Sequence, residues 1–98
     1  MTSLEIGNCN QLAYQMWHKA HAQLLQALTI ERKVVGWSAA ASSQTPWSKY
    51  WWEECKLEAA PSDGSRLGPA DFYACAAYQT ALRVQVIKAN TRNLATAG

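Results

Sequence analysis

The chain has 98 residues, enough for one domain, and is 49% apolar with only 16% charged residues, against roughly 25% in an average globular protein. Such a chain folds and exposes adhesive surface. Nine Lys and Arg against seven Asp and Glu leave a net charge of +2 without a block of like charge, so nucleic-acid binding is neither demanded nor excluded.

The first strong signal runs from about Cys9 to Leu28, where Ala13, Trp17, Ala20, Leu24 and Leu28 recur every three or four residues and Leu12, Met16 and Leu25 widen the stripe. This predicts an amphipathic helix over about 9–33, with Asn8 and Gln11 suited to its N-terminal cap. A start at Thr2 with Glu5 has capping-box spacing, but it places Gly7 inside the helix at a cost of about 1 kcal/mol. The later start is therefore preferred. Beyond Leu28, Val34, Val35 and Trp37 favour extended structure and Gly36 interrupts a helix, while Ala39 to Thr45 is a run of small and hydroxyl residues without periodicity. A loop or short β-hairpin is expected over 34–45.

Thr45 and Pro46 form a cap and first-turn pair for a second helix over about 46–60, with Trp47, Tyr50, Trp51 and Leu57 at helical spacing. Trp52 and Cys55 fall off that stripe, so the helix is apolar on two faces. Residues 61–69 read as a flexible loop rich in Pro, Gly and Ser. Pro69 and Asp71 then open a third helix to about 90, with Phe72, Cys75, Tyr78, Leu82 and Val86 on its stripe and Tyr73, Ala77, Val84 and Ile87 broadening it. Residues 91–98 are expected to fray. The fold class is mainly α, a single small three-helix domain with room for a short β-hairpin between the first two helices.

No stretch reaches the ~18 consecutive apolar residues of a membrane span, and the first residues lack the basic start of a signal peptide, so a cytoplasmic chain without membrane contact is expected. Cys9, Cys55 and Cys75 are odd in number and widely spaced, fitting neither a disulfide framework nor a zinc site, which predicts reduced, half-buried thiols. His18 and His21 could share a metal, yet no cysteine or carboxylate near them completes a ligand set. Cys9 with His18 or His21 is the only conceivable nucleophile–base pairing. Adjacent Glu53 and Glu54 point about 100° apart on a helix and form no acid/base pair. No phosphate-binding loop, nucleophile elbow or cofactor motif is present, so a non-enzymatic protein without metal or cofactor is expected.

Four rings at Trp47, Tyr50, Trp51 and Trp52 cannot all face inward on either a helix or a strand. With Trp37 they form the candidate partner-binding set, and they point to a protein partner, in a homo-oligomer or a larger assembly. Arg32, Lys33, Lys49 and Lys56 lie among the aromatics and could hold phosphate beside stacked bases, but Glu31, Glu53, Glu54 and Glu58 weaken that attraction.

Two stretches resemble the gpW family of head-completion proteins of tailed phages, which combine a helix, a β-hairpin and a second helix. Leu24, Leu25, Leu28 and Thr29 followed by Arg32, Lys33, Val34 and Val35 are similar to that family's helix end and basic strand. Ala70, Asp71 and Phe72 with Cys75, Tyr78 and Leu82 are similar to the start of its second helix. The likeness covers about half of the chain, and it departs from the family at Glu31 and in the long segment 39–68. It implies a virion component that assembles between portal and tail by binding. A small phage or mobile-element inhibitor of a host enzyme or defence complex, anti-CRISPR-like, has the same size and character, and a nucleic-acid-binding accessory protein is the third expectation.

Overall fold

The computed structural model of the protein describes residues 2–62 and 68–97. The chain forms helix α1 (Ser3–Val35), helix α2 (Trp37–Ala59), a single 3-10 turn (Ala60–Ser62) and helix α3 (Gly68–Ala97). The fold is mainly α, and no strand occurs among the described residues.

The hairpin expected over 34–45 does not form, because α2 begins one residue after α1 ends. Val34 and Val35 complete α1, and the Ala39, Ala40, Ala41 run that lacks hydrophobic periodicity consists of the strongest helix former. Gly36 alone separates the two helices, at φ 90° and ψ 160°, a backbone conformation that only glycine adopts without strain. At the other end, α1 starts after Thr2 and not after Asn8. The Thr2 hydroxyl oxygen accepts from the Glu5 backbone N–H at 3.2 Å, and the hydroxyl donates to Glu5 Oε1 at 3.0 Å. A cap of this kind contributes about 1 kcal/mol, which offsets the cost of Gly7 inside the helix.

Pro46 lies inside α2 and does not begin it. Its ring removes one helical N–H and strips the Ser42 carbonyl of its partner. One residue earlier, the Thr45 hydroxyl donates to the Ala41 carbonyl at 3.0 Å, a back-bond that tends to bend helices.

The dominant contact is between α1 and α3. Tyr73 at the start of α3 touches Tyr14 and Trp17 of α1, whereas Val84 and Ile87 further along α3 cluster with Leu24, Ala27 and Leu28. The two helices therefore run parallel, and α2 returns antiparallel beside them. The facing positions follow a strict three-four repeat: 13, 17, 20, 24, 27 and 31 on α1, and 73, 77, 80, 84, 87 and 91 on α3. This is the repeat of a coiled-coil seam, and small residues alternate with large ones along it: Ala13, Ala20 and Ala27 with Trp17 and Leu24 on α1, Ala77 and Thr80 with Tyr73, Val84 and Ile87 on α3. The result is a rod of 55 × 21 × 17 Å.

On α3 this seam differs from the stripe the sequence suggests. Tyr78, Leu82 and Val86 are exposed, Tyr78 to 63%, while Ala77, Thr80, Val84, Ile87 and Thr91 are buried. Two threonines in the buried row conceal it from a hydrophobicity pattern. Burial of Thr91 also carries α3 on to Ala97, past the expected end near 90. Pro69 and Asp71 occupy the first turn of α3 as expected. Most of the loop expected over 61–69 lies outside the described residues.

Helix α2 is fastened to α3 at two places. Cys55 and Cys75 form a disulfide with Cα atoms 5.5 Å apart, so the expectation of three reduced thiols is corrected, and only Cys9 is free, on the surface. A separation of 20 residues shows no periodic signal in the sequence; the helices bring the pair together. Nearer the α1 corner, Arg83 donates to Gln44 Oε1 at 3.2 Å and to Ser43 Oγ at 2.8 Å. The sequence suggests only a helix-dipole role for this cation.

Closing a loop of 20 residues should contribute about 3 kcal/mol. Cys55→Ala, or reduction, is therefore expected to lower the melting temperature by about 15 °C. A Cys55→Ala variant that melts as the wild type does would show that the bridge holds nothing. Pro46→Ala is expected to act in the opposite sense, since proline inside a helix costs about 3 kcal/mol relative to alanine. Its melting temperature should rise, and a fall would mean that proline at this position is required for packing.

Candidate functional site

Seven aromatic side chains form one connected network across all three helices. On α2, Trp47 meets Trp51 at 6.1 Å between centroids and Trp51 meets Trp52 at 5.7 Å, edge to face. Phe72 of α3 joins them, 5.2 Å from Trp52 and 6.2 Å from Trp51. Tyr73 then links Phe72 to Tyr14 and Trp17 of α1 at 5.9, 5.3 and 5.7 Å. Each such pair adds about 0.5–1.5 kcal/mol beyond the area it buries.

The candidate partner-binding residues separate into two groups. Trp47 packs on the Leu24, Leu28, Val84 and Ile87 cluster, and Trp51 packs on Cys55, Cys75 and Ala76. These two rings are largely structural. Tyr50, Trp52 and Trp37 remain exposed, Trp37 to 70%. One face of Trp37 is covered by the Arg32 guanidinium, 4.2 Å from the ring centroid across the Gly36 corner. The network's remaining members, Phe72, Tyr73, Tyr14 and Trp17, lie too far apart in sequence for spacing to have joined them.

Between α1 and α2 the rings leave an open groove of about 470 Å³, with Trp17, His21, Leu24, Trp47 and Trp51 on its walls and Lys49 and Trp52 among its lining. The groove exists because α2 leans on α3 and touches α1 only sparsely. A concavity this apolar accommodates a hydrophobic side chain or a helix edge.

The four candidate phosphate-binding cations do not form one patch. Arg32 and Lys33 flank the Gly36 corner, whereas Lys56 lies about 28 Å further along α2 and is ion-paired to Glu53 at 3.6 Å. His18 stacks on Tyr14 at 6.1 Å, and His21 meets Trp17 tilted, at 5.5 Å. Among the described residues no group of three His, Cys, Asp or Glu side chains is placed to hold a metal. Cys9 and His18 share one straight helix about 13 Å apart along its axis, too far for a nucleophile–base hydrogen bond. No family model matches the chain, and neither a curated protein nor a solved structure matches it.

The two groups of tryptophans predict two phenotypes. Trp51→Ala removes a ring from the disulfide cluster and should destabilise the fold by about 3 kcal/mol. Trp37→Ala loses a surface cation–π contact and should cost about 1 kcal/mol or less. Equal losses in a denaturant titration would contradict the division.

Proposed function

We propose that the protein is a non-enzymatic interaction protein that works through protein–protein contacts, in a homo-oligomer or a larger assembly. The observation that carries this reading is its surface. The chain exposes 6605 Å², whereas a compact monomer of 10.8 kDa exposes about 5,500 Å². Its radius of gyration is 16.0 Å, against about 13 Å for a globule of this length. The excess, about 1,100 Å², exceeds the ~800 Å² that each partner buries in a standard interface.

The surface includes large apolar side chains. Helix α2 presents Trp37, Tyr50, Trp52 and Leu57, and α3 presents Tyr78, Leu82 and Val86 at one-turn spacing. Aromatic anchors of this kind carry much of the energy in protein interfaces. The phage head–tail connector is the most specific form of the proposal. It rests on the gpW resemblance of the helix segments, without the hairpin that the resemblance implies. An inhibitor of a host enzyme or defence complex uses the same surfaces. The dispersed cations of α1 and α2 give the nucleic-acid reading least support.

No helix among the described residues is long and apolar enough to cross a membrane. Cys55 is 0% exposed and its partner Cys75 is buried, so a thiol reductant has no direct access to the disulfide in the folded chain.

Sedimentation velocity over a range of concentrations tests the proposal. The wild type should associate, or be drawn into a complex with its partner. Trp52→Ala should weaken that association about thirtyfold while leaving the melting temperature nearly unchanged. A protein that stays monomeric and unpartnered, or a variant that associates as the wild type does, would refute it.

A further inference from the structure

Between Asp71 and Lys88, helix α3 carries one charged residue, Arg83, and that side chain is turned onto α2, where it donates to Ser43 and Gln44. The side of α3 away from the seam is therefore uncharged for about four turns. Tyr78, Leu82, Gln85 and Val86 are exposed on it, and Trp52, seated on Phe72, borders it toward α2. An apolar helix face of this kind in water marks an interaction site.

The pattern of the face matches its own reverse. Residues four apart are neighbours on a helix, so Tyr78, Leu82 and Val86 form one row, symmetric in size about Leu82. Set beside a reversed copy, the row places leucine against leucine and each tyrosine against a valine. Rows of this spacing interdigitate in the commonest class of helix packing, with axes crossing at about 50°. A surface that complements its own two-fold copy is what an isologous dimer requires.

The charges select the same direction. Leu82 stands level with Ser43 and Gln44 of α2, which Arg83 reaches, and with Leu24 of α1, which clusters with Val84. On the Tyr78 side of that level lie five carboxylates, Glu5, Glu53, Glu54, Glu58 and Asp71, against three lysines, Lys19, Lys49 and Lys56. On the Val86 side lie five cations, Arg32, Lys33, Arg83, Lys88 and Arg92, against the buried Glu31. Among the described residues one half of the rod is therefore negative and the other positive. On α1 and α3 this arrangement suits the helix dipoles, but on the antiparallel α2 it sets Glu54 and Glu58 near the C-terminus, where a carboxylate is disfavoured. The segregation follows the rod and not its individual helices. Copies laid in the same direction bring like halves together, whereas reversed copies set each negative half beside a positive one.

We propose that the protein pairs with a second copy of itself through this outer face of α3, the two rods reversed and Leu82 at the two-fold axis. The pairing names the partner within the assembly proposed above and rests on that reading. The surface in excess of a compact monomer is enough for one such interface.

The test is sedimentation velocity of the full chain over a range of concentrations at low salt, with melting curves as the control on folding. The wild type should pass from monomer to dimer. Leu82→Glu places two carboxylates at the axis and should weaken dimerisation at least about thirtyfold while leaving the melting temperature nearly unchanged. Should that variant fail to fold, Tyr78→Glu carries the test. It too should weaken the dimer, and Val86→Lys added to the same chain should recover most of the loss, because positions 78 and 86 meet only between reversed copies. Dimerisation unchanged by Leu82→Glu, or a further loss on adding Val86→Lys, would overturn the proposal. Association that survives Leu82→Glu but is lost in Trp52→Ala overturns this contact alone, as does a monomer that binds a different protein. A wild type that neither dimerises nor draws a partner overturns this contact and the broader reading together.

Discussion

Everything in this fold depends on the α1–α3 seam. A long helix with half its apolar side chains in water is not stable alone, and most helical stability in proteins comes from packing an amphipathic face. Here two parallel helices interlock through a three-four repeat in which alanine alternates with larger side chains. Ala13, Ala20 and Ala27 let the backbones approach, and Leu24, Val84 and Ile87 fill the middle. The repeat then reaches its polar layer at Glu31 and Thr91, both buried with an unpartnered oxygen among the described residues. Polar layers in coiled-coil seams fix register at some cost in stability.

Helix α2 is subordinate to that pair. It has little contact with α1 and is held to α3 by the Cys55–Cys75 bridge and by Arg83. Its tryptophans serve both purposes as a consequence. Trp47 and Trp51 fill the space between α2 and the seam, and Trp52, one position round the helix, is turned outward against Phe72. Adjacent aromatics on a helix point about 100° apart, so a cluster dense enough to close the core cannot avoid presenting a ring to the exterior.

How much of this could be read from the sequence varies by element. The body of α1 was legible because Ala13, Trp17, Ala20, Leu24 and Leu28 keep helical spacing, and α3 because Pro69 and Asp71 mark its start. Its buried face was not, since Thr80 and Thr91 lie in the seam while Tyr78, Leu82 and Val86 lie outside it. The first half of α2 carries no periodic apolar signal and ends in Pro46, which ordinarily begins a helix, so local rules favour a break there. The crowding of Trp47, Trp51 and Trp52 correctly implied that inward positions would run out. That Phe72 and Tyr73 would join them depends on the register of α3 against both neighbours, which no local pattern encodes.

Because the rod has an odd number of helices, the chain enters at one end and leaves at the other, so a polypeptide joined at either terminus meets no second linker. Tension between the termini would draw α1 and α3 past each other along their common axis, loading every layer of the interface at once. Layers loaded in this way share the force, whereas antiparallel neighbours pulled from a common end unzip layer by layer. The parallel pairing thus resists extension along the rod's axis more than a pull applied to both helices at one end.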